Sequence, residues 1–195
     1  EALKAQPLEL DLTAFNAFSN SLGTYSKMNR FDRQQLNKKN REKIKELNYA
    51  WIERFVHSDA VLIEKMTLFW ANVFVCKDNN VLSMQHYNNT LRKFALGDFK
   101  QFVKAIAKEA SMSRYLNNNQ NVKKKPNENF ARELMELFTL GIGHYTEQDV
   151  KESARAFTGW SNNRKGAFIS NPKKHDDGIK TFLGKTGNFD GDAII

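Results

Sequence analysis

Apolar residues recur every three or four positions along most of this chain, and this spacing constrains its fold more than any other feature. Leu12, Phe15, Phe18 and Leu22 follow it near the start, and the pattern continues to residue 158. A period of about 3.6 residues places such side chains on one face of a helix, where they can pack against neighbouring helices. The sequence therefore predicts a mainly α fold, a multi-helix, bundle-like domain.

The helical pattern stops after Trp160. Two short apolar runs, GAFIS and IKTFLG, then flank the turn-rich segment NPKKHDDG. Short runs between turn residues are typical of a β-hairpin or an irregular arm. We therefore predict a helical domain over residues 1–160 and a hairpin or irregular arm over 161–195. The first and last residues resemble cut ends, so we also expect a fragment of a longer chain, with the arm leading into a part not present here.

Residues 57–75 form the most apolar of the predicted helices. After Ile63 the apolar residues go almost all the way round the helix. A helix without a polar face is typical of the interior of a domain. We therefore expect this helix to be the most buried, with Phe69, Trp70 and Phe74 in the core.

The composition limits the function classes open to the chain. Its 195 residues with 41% apolar content suit a globular domain. The single cysteine, Cys76, excludes an internal disulfide framework and a zinc site built from cysteines. No apolar run is long enough to span a bilayer, so we predict no membrane span. The net charge of +8 favours an acidic partner, such as nucleic acid, an anionic glycan or a membrane surface.

The stretch KPNENFARELMELFTLG, residues 125–141, is dense in charged side chains. Glu128, Arg132 and Glu136 are spaced four apart, so they stack on one face of a helix. A capped amphipathic helix with a solvated polar face explains most of this pattern. The alternative is a site in which Glu133 and Glu136 bind a metal or act as an acid and a base beside Arg132.

The next predicted helix, 147–158, carries Arg155 on its polar side. A short loop joins it to the preceding helix, so the two helices should pack as neighbours. We expect the carboxylates of Glu133 and Glu136 to meet the guanidinium of Arg155 in a partly buried network. We prefer a structural interpretation of this network, because paired carboxylates are poorly placed to bind a metal or to move protons.

A cluster in the predicted arm is a further candidate. His175, Asp176 and Lys180 could hold a water, a metal or an anionic substrate. A solvated hairpin turn explains the same residues, because Asp-Gly is a common turn pair. Both interpretations remain open at the level of the sequence.

A second cluster lies close to the end of the sequence. Asn188, Asp190 and Asp192 alternate like the first ligands of a calcium-binding loop. The glycine of such a loop is in the wrong place, so these three residues are weak metal candidates. No motif in the sequence assigns a cofactor or a substrate.

The segment PNENFARELMELFTLGIGHYTEQDVKESARAFTGW, residues 126–160, resembles the signature of a bacterial family of unknown function, the family numbered 1800. The resemblance extends over residues 55–195. It implies a large bacterial protein that continues past this sequence and is exported, periplasmic or associated with the cell envelope. The activity of the family is not established. The family pattern falls on Asn127, Glu128, Asn129, Phe130, Arg132, Glu133, Glu136, Gly141, Asp149, Arg155, Thr158, Gly159, Trp160, His175, Asp176 and Lys180.

The chain departs from the family pattern at one place. Where the family has Phe-Trp-His-Asn-His-Phe, this chain has Ala71 and Val73 in place of the two histidines. If those histidines bind a metal in the family, this chain lacks that chemistry.

Three function classes follow from these observations. The first is a helical binding or scaffold module of an exported or envelope-associated protein, with an acidic or envelope-associated partner. The second is a hydrolase-like enzyme that uses Glu133 and Glu136 with Arg132, Arg155 and the cluster around His175. The third, nucleic-acid binding, depends on the basic charge alone and ranks last, because no recognition helix or stacking platform is present.

Overall fold

The computed structural model describes residues 5–163 and 165–195, and helices account for most of them. The helices are α1 Thr13–Ser21, α2 Arg30–His57, α3 Val61–Val73, α4 Val81–Phe94, α5 Phe99–Ala107, α6 Ala110–Tyr115, α7 Asn129–Glu133, α8 Glu147–Ala156 and α9 Gly191–Ile194. A π-helical segment, Leu134–Thr139, continues α7, and 3₁₀ turns cover Tyr25–Lys27, Asn118–Gln120 and Pro172–Lys174. The strands are β1 Trp160–Asn162, β2 Phe168–Ser170, β3 Lys180–Phe182 and β4 Lys185–Gly187. The predicted mainly α fold is confirmed.

Polar residues just before several helices fix where those helices begin. Asp98 accepts a hydrogen bond from the backbone N–H of Gln101 at the start of α5. Thr146 and Asp149 form a reciprocal capping box at the start of α8. Each cap satisfies a backbone N–H that has no partner within its own helix. The loop before α8 therefore ends at a defined residue, which sets the direction in which α8 enters the core.

The main core includes residues from α4 to α9 and centres on α8. Val150, Ala154 and Phe157 are completely buried there. Phe130 packs edge-on against Phe157 with ring centroids 4.9 Å apart, and Phe157 packs edge-on against Trp160 at 5.0 Å. The aromatic contacts thus run from α7 past the end of α8 into the first strand. A smaller core joins α1, α2 and the start of α4.

Helix α3 buries one face and exposes the other. Phe74, directly after the helix, is completely buried, and Trp70 is partly buried, with its indole N–H donating to the carbonyl oxygen of Ala95 at 2.9 Å. Phe69, by contrast, is 51% exposed. The predictions that α3 is the most buried helix and that Phe69 lies in the core are therefore wrong.

The exposed face of α3 is also apolar. Val61, Leu62, Leu68 and Phe69 lie along it at helical spacing, and Val75 continues it beyond the helix. Helices α2 and α4 contact α3 in this chain, and they leave this face in solvent. The apolar residues do extend round the helix, but only some of them pack against other elements among the described residues.

A buried ion pair joins α3 to α4. Arg92 donates from Nε and Nη2 to the two carboxylate oxygens of Glu64 at 2.8 and 3.1 Å, and both side chains are almost completely buried. The third nitrogen of Arg92 donates to the side-chain oxygens of Asn88 and Asn89. Arg54 of α2 adds a second guanidinium 3.1 Å from Glu64. The carboxylate therefore holds three helices together.

The predicted arm consists of two short antiparallel hairpins. Trp160 of β1 lies opposite Ser170 of β2, and β3 pairs with β4 in the same antiparallel way. Gly159 begins the arm with a φ of +82°, and a Cβ atom there would lie 2.6 Å from the carbonyl oxygen of Asn171. Glycine is therefore required where the chain turns from α8 into the arm.

We expect Phe74→Ala to destabilise the domain by roughly 3–5 kcal/mol, because it leaves a cavity among packed aromatic rings. Phe69→Ala is the matched control, and it should cost less than about 1 kcal/mol, because surface substitutions rarely exceed that range. Urea unfolding of both variants measures the difference. Equal losses would contradict the assignment of the two faces of α3.

We expect Glu64→Met to cost roughly 3–5 kcal/mol, because it leaves the buried guanidinium of Arg92 without its anion. The double variant with Arg92→Met should lose less than the sum of the single losses, because it removes both charges. Glu46→Met, in the exposed pair with Lys43, serves as the control and should cost at most about 1 kcal/mol. Additive losses at Glu64 and Arg92 would contradict a coupled pair.

Candidate functional site

Helix α8 fastens the arm to the helical body through one polar stripe. Asp149 accepts a hydrogen bond from the backbone N–H of Leu183 at 2.7 Å, and Glu152 accepts one from that of Thr181 at 3.2 Å. Arg155 continues the stripe one turn further on. Residues three apart lie on the same side of a helix. We call Asp149, Glu152 and Arg155 the α8 clamp.

Arg155 is the centre of the α8 clamp. It donates to both carboxylate oxygens of Asp176, from Nε at 2.8 Å and from Nη2 at 3.1 Å. Its remaining nitrogen donates to Glu152 at 2.8 Å and to the carbonyl oxygen of Ile179 at 3.1 Å. Hydrogen bonds from the Arg155 guanidinium lower the pKa of Asp176 from 3.8 to about 2, and Asp176 in turn raises the pKa of Arg155. Asp176 is therefore ionised at neutral pH, with both oxygens bonded.

Lys180 is a buried anchor within the arm. Its side chain is almost completely buried and donates to the backbone carbonyl oxygens of Asp176 at 2.6 Å and Gly178 at 2.9 Å. Burial lowers the pKa of Lys180. These bonds close the turn between the 3₁₀ segment and β3, so the contacts of Lys180 hold the arm together.

His175 is fixed by the end of α8. Its Nδ1 atom lies 2.8 Å from the backbone carbonyl oxygen of Thr158. A carbonyl oxygen can only accept, so Nδ1 carries the hydrogen and the neutral ring has its acceptor lone pair on Nε2. The hydroxyl of Thr158 also accepts from the backbone N–H of Asp176 at 2.8 Å. The two residues are therefore held against the helical body side by side.

A polar cleft of about 280 Å³ opens beside His175. We call it the His175 cleft, and it is lined by Trp160, Ser170, Pro172, His175, Asp177, Asn188 and Asp190. It brings His175 from one predicted cluster together with Asn188 and Asp190 from the other. The cleft does not include Asp176 or Lys180 among its lining residues.

The three weak metal candidates have different partners. Asp190 caps α9 by accepting from the backbone N–H of Ala193 at 2.9 Å. Asp192 forms an ion pair with Lys108 at 2.7 Å, and Asn188 lines the His175 cleft. Across residues 5–163 and 165–195, no group of three or more His, Cys, Asp or Glu side chains could hold a metal ion.

The polar face of α7 forms a separate cluster. Arg132 donates to both carboxylate oxygens of Glu147 at 2.7 and 2.8 Å and to Glu128 at 3.2 Å. The contact with Glu147 raises the pKa of Arg132 and lowers that of Glu147. Glu136 accepts from the hydroxyl of Tyr145 at 3.2 Å. Helices α7 and α8 thus do meet, as predicted.

The predicted meeting of Glu133 with Arg155 is wrong. In the described part of the chain Glu133 makes no hydrogen bond or ion pair, whereas Arg155 pairs with Glu152 and Asp176. Glu147 begins α8 and Arg155 lies more than two turns later, roughly 12 Å along the helix axis. The seven candidate residues therefore do not share one site: Arg132 lies in one cluster with Glu128 and Glu147, Arg155 and Asp176 lie in another, and Glu133 belongs to neither. Their catalytic roles stay predictions.

The sequence interpretation placed Glu152 beside Arg155 but gave it no partner in the arm, and it missed Ser170, Pro172 and Asp177 in the wall of the His175 cleft. Glu152 accepts from β3 across 29 positions of sequence. Its only signal in the sequence is its spacing of three from Asp149 and Arg155, which any solvated helix face can show. Trp160 and Ser170 reach the cleft through the pairing of β1 with β2, which helical periodicity does not predict.

An apolar surface lies away from the clamp. The rings of Phe69 and Trp70 are 5.0 Å apart and those of Trp70 and Phe99 are 5.8 Å apart, so α3 and α5 share one strip of aromatic side chains. Phe69, Leu96 and Phe99 are exposed along it. We call Phe69, Trp70, Leu96 and Phe99 the α3–α5 apolar surface.

This surface continues into an apolar groove of about 200 Å³ that begins at Phe99 and Lys100. Leu134 and Met135 of the π-helical segment form one side of the groove, and Leu183 of the arm lies on its lining as well. None of the helices in the described residues is long and apolar enough to cross a membrane.

We expect Asp176→Asn to destabilise the domain by roughly 1–2 kcal/mol at neutral pH, because folding favours the ionised carboxylate. The pKa of Asp176 falls from 3.8 to about 2 on folding. This stabilisation is therefore fully present above about pH 4 and is lost as the pH falls through 3.8 towards 2.

The measurement is the difference in unfolding free energy between Asp176→Asn and the unchanged protein from pH 3 to pH 6. The control is Asp177→Asn, because Asp177 is exposed and makes no hydrogen bond or ion pair in the described residues. A difference that stays constant over this range would contradict the effect of Arg155 on Asp176.

A family model described as "protein of unknown function (DUF1800)" matches residues 2–195. No curated protein and no solved structure matches the chain. The family match reaches further towards the start than the motifs over 55–195, so it includes α1 and α2 as well as the α8 clamp and the arm. The chain belongs to the DUF1800 family of proteins of unknown function.

Proposed function

We propose that this domain is a binding module that docks an amphipathic segment of a partner protein on the α3–α5 apolar surface. The observation that carries the proposal is the exposed face of α3, where Phe69 is 51% exposed on a helix that is apolar on both sides. Contiguous apolar surface in water is unfavourable and marks interaction sites. The groove beside Phe99 adds a concave end to this surface.

The charges around the surface indicate the chemistry of the partner. Lys65 lies on the exposed side of α3, and Lys100 lines the groove. The ammonium of Lys93 sits 5.3 Å from the ring of Phe94, which stacks on Phe102 beneath Trp70. Lysines around an apolar centre favour acidic groups around an apolar stripe. The partner segment is therefore an amphipathic helix with Glu or Asp on its flanks.

The shape of the surface favours a protein segment over a lipid bilayer. A groove of about 200 Å³ accepts one or two apolar side chains that project from a helix. A lipid surface would meet the flat strip at Phe69 and Leu96 but would leave the groove unfilled. An exported or envelope-associated location is part of this proposal and is based on the family resemblance.

The positions of the candidate catalytic residues support binding over the alternative of a hydrolase-like enzyme. Such an enzyme needs its carboxylates, Arg132, Arg155 and His175 around one substrate. The Arg132 cluster and the Arg155 cluster lie at opposite ends of α8, and Asp176 has both carboxylate oxygens bonded to Arg155. These groups serve to join elements of the fold.

The test uses a fluorescent 18-residue peptide designed with Leu and Phe along one helical stripe and Glu on its flanks. We expect the peptide to bind, and Phe69→Glu to weaken binding at least about tenfold, a change of about 1.4 kcal/mol. Ile179→Glu is the matched control, because Ile179 is also exposed, at 63%, but lies on the arm. A peptide of the same composition in scrambled order, which lacks the apolar stripe, should not bind.

Vesicles of anionic phosphatidylglycerol form the second arm of the experiment. The proposal is supported if Phe69→Glu weakens peptide binding and the protein does not bind the vesicles. Vesicle binding without peptide binding would overturn it in favour of a membrane surface. Equal affinity for the ordered and scrambled peptides would overturn it as well, because the surface would then lack specificity.

A further inference from the structure

We propose that the His175 cleft binds a saccharide unit, a neutral ligand rich in hydroxyl groups. The cleft is separate from the α3–α5 apolar surface, and the proposed docking does not use it. Its volume of about 280 Å³ is close to the lower end of small-ligand pockets. The proposal depends on which hydrogen-bonding groups line the cleft, on its apolar side, and on how firmly the cleft is held.

The polar lining consists mainly of hydrogen-bond acceptors. The Nδ1–H of His175 donates to Thr158, which in the neutral ring leaves Nε2 as an acceptor. Asp177 adds a carboxylate that makes no hydrogen bond or ion pair in the described residues, and Asn188 and Ser170 can both donate and accept. Hydroxyl groups of a saccharide donate to carboxylate and imidazole and accept from amide N–H. The lining therefore suits a ring with several hydroxyl groups.

Pro172 provides an exposed apolar group beside these side chains, and Trp160, which is only 4% exposed, lies behind it in the lining. The Trp160 ring is fixed by edge-on contacts with Phe157 and Phe168, whose centroids lie 5.0 and 4.9 Å away. Gly191 packs so closely that a Cβ atom there would lie 2.4 Å from the indole. An apolar side next to polar groups matches a saccharide, which has C–H faces and hydroxyl edges.

The walls of the cleft are held by backbone contacts. The N–H of Asn171 donates to the carbonyl oxygen of Gly159 at 2.9 Å, and that of His175 donates to the carbonyl oxygen of Asn171 at 3.1 Å. Arg155 holds the neighbouring Asp176 through two hydrogen bonds. A cleft that is formed before binding avoids the entropy cost of ordering its walls.

The charges that line the cleft favour a neutral ligand over an anion or a metal ion. An anion would be repelled by the carboxylates of Asp177 and Asp190, which line the cleft. A metal ion is not favoured, because the described residues offer no group of three suitable ligands. Asp190 already accepts from the N–H of Ala193, so it is only partly free for a cation. A neutral hydroxyl-rich ligand meets none of these obstacles.

The test is saturation-transfer NMR on the unmodified protein with glucose, galactose, mannose, N-acetylglucosamine, cellobiose and chitobiose as probes. We expect at least one probe to bind with a Kd below about 10 mM. Asp177→Ala and Asn188→Ala should each weaken that binding roughly fivefold or more. The matched controls, Asp59→Ala and Asn119→Ala, are exposed outside the cleft and should leave it unchanged.

Calcium chloride and ethanolamine are titrated as competing probes. No saccharide binding below about 10 mM would overturn the proposal. Saccharide binding that survives both cleft variants would overturn the location. Ethanolamine or calcium binding that is lost on Asp177→Ala, without saccharide binding, would assign the cleft to cations instead. Peptide binding at the α3–α5 apolar surface is measured separately, so either proposal can fail alone.

Discussion

The ion pair between Arg155 and Asp176 joins the arm to the helical body. The arm consists of strands of three residues each, and hairpins this short have little stability of their own in water. They are held instead by α8, which faces the core with Val150 and Ala154 and faces the arm with the α8 clamp. Helix α8 thus contributes to the core and also positions the arm, which is too small to form a core by itself.

This division of α8 gives a physical reason for the charged residues Asp149, Glu152 and Arg155 on its outer side. Carboxylates at Asp149 and Glu152 accept the backbone N–H groups of Leu183 and Thr181, which would otherwise be poorly satisfied at the edge of a short hairpin. Arg155 neutralises Glu152 and Asp176 in partial burial, where an unpaired charge would be costly. In this chain Asp149, Glu152 and Arg155 therefore attach the arm to the helical body, through partners other than the predicted Glu133 and Glu136.

The sequence predicts the features that depend on neighbouring residues. It fails for the features that depend on contacts between residues far apart in the chain. The helices and the capping box at Thr146 depend on neighbouring residues, so periodicity and cap chemistry identify them. The exposure of Phe69 depends on which helices cover α3, and the pairing of Glu64 with Arg92 spans 28 positions, so neither has a local signal. The residues of the His175 cleft belong to two separate motifs in the sequence, and only the fold of the arm brings them together.

The α8 clamp also links the two surfaces to which we assign ligands. Leu183, whose N–H is held by Asp149, lines the apolar groove, and His175, directly before Asp176, lines the polar cleft. The groove and the cleft thus both include residues of the arm, and α8 positions the arm. The contacts of α8 thus position residues of both surfaces, although Asp149, Glu152 and Arg155 themselves line neither the groove nor the cleft.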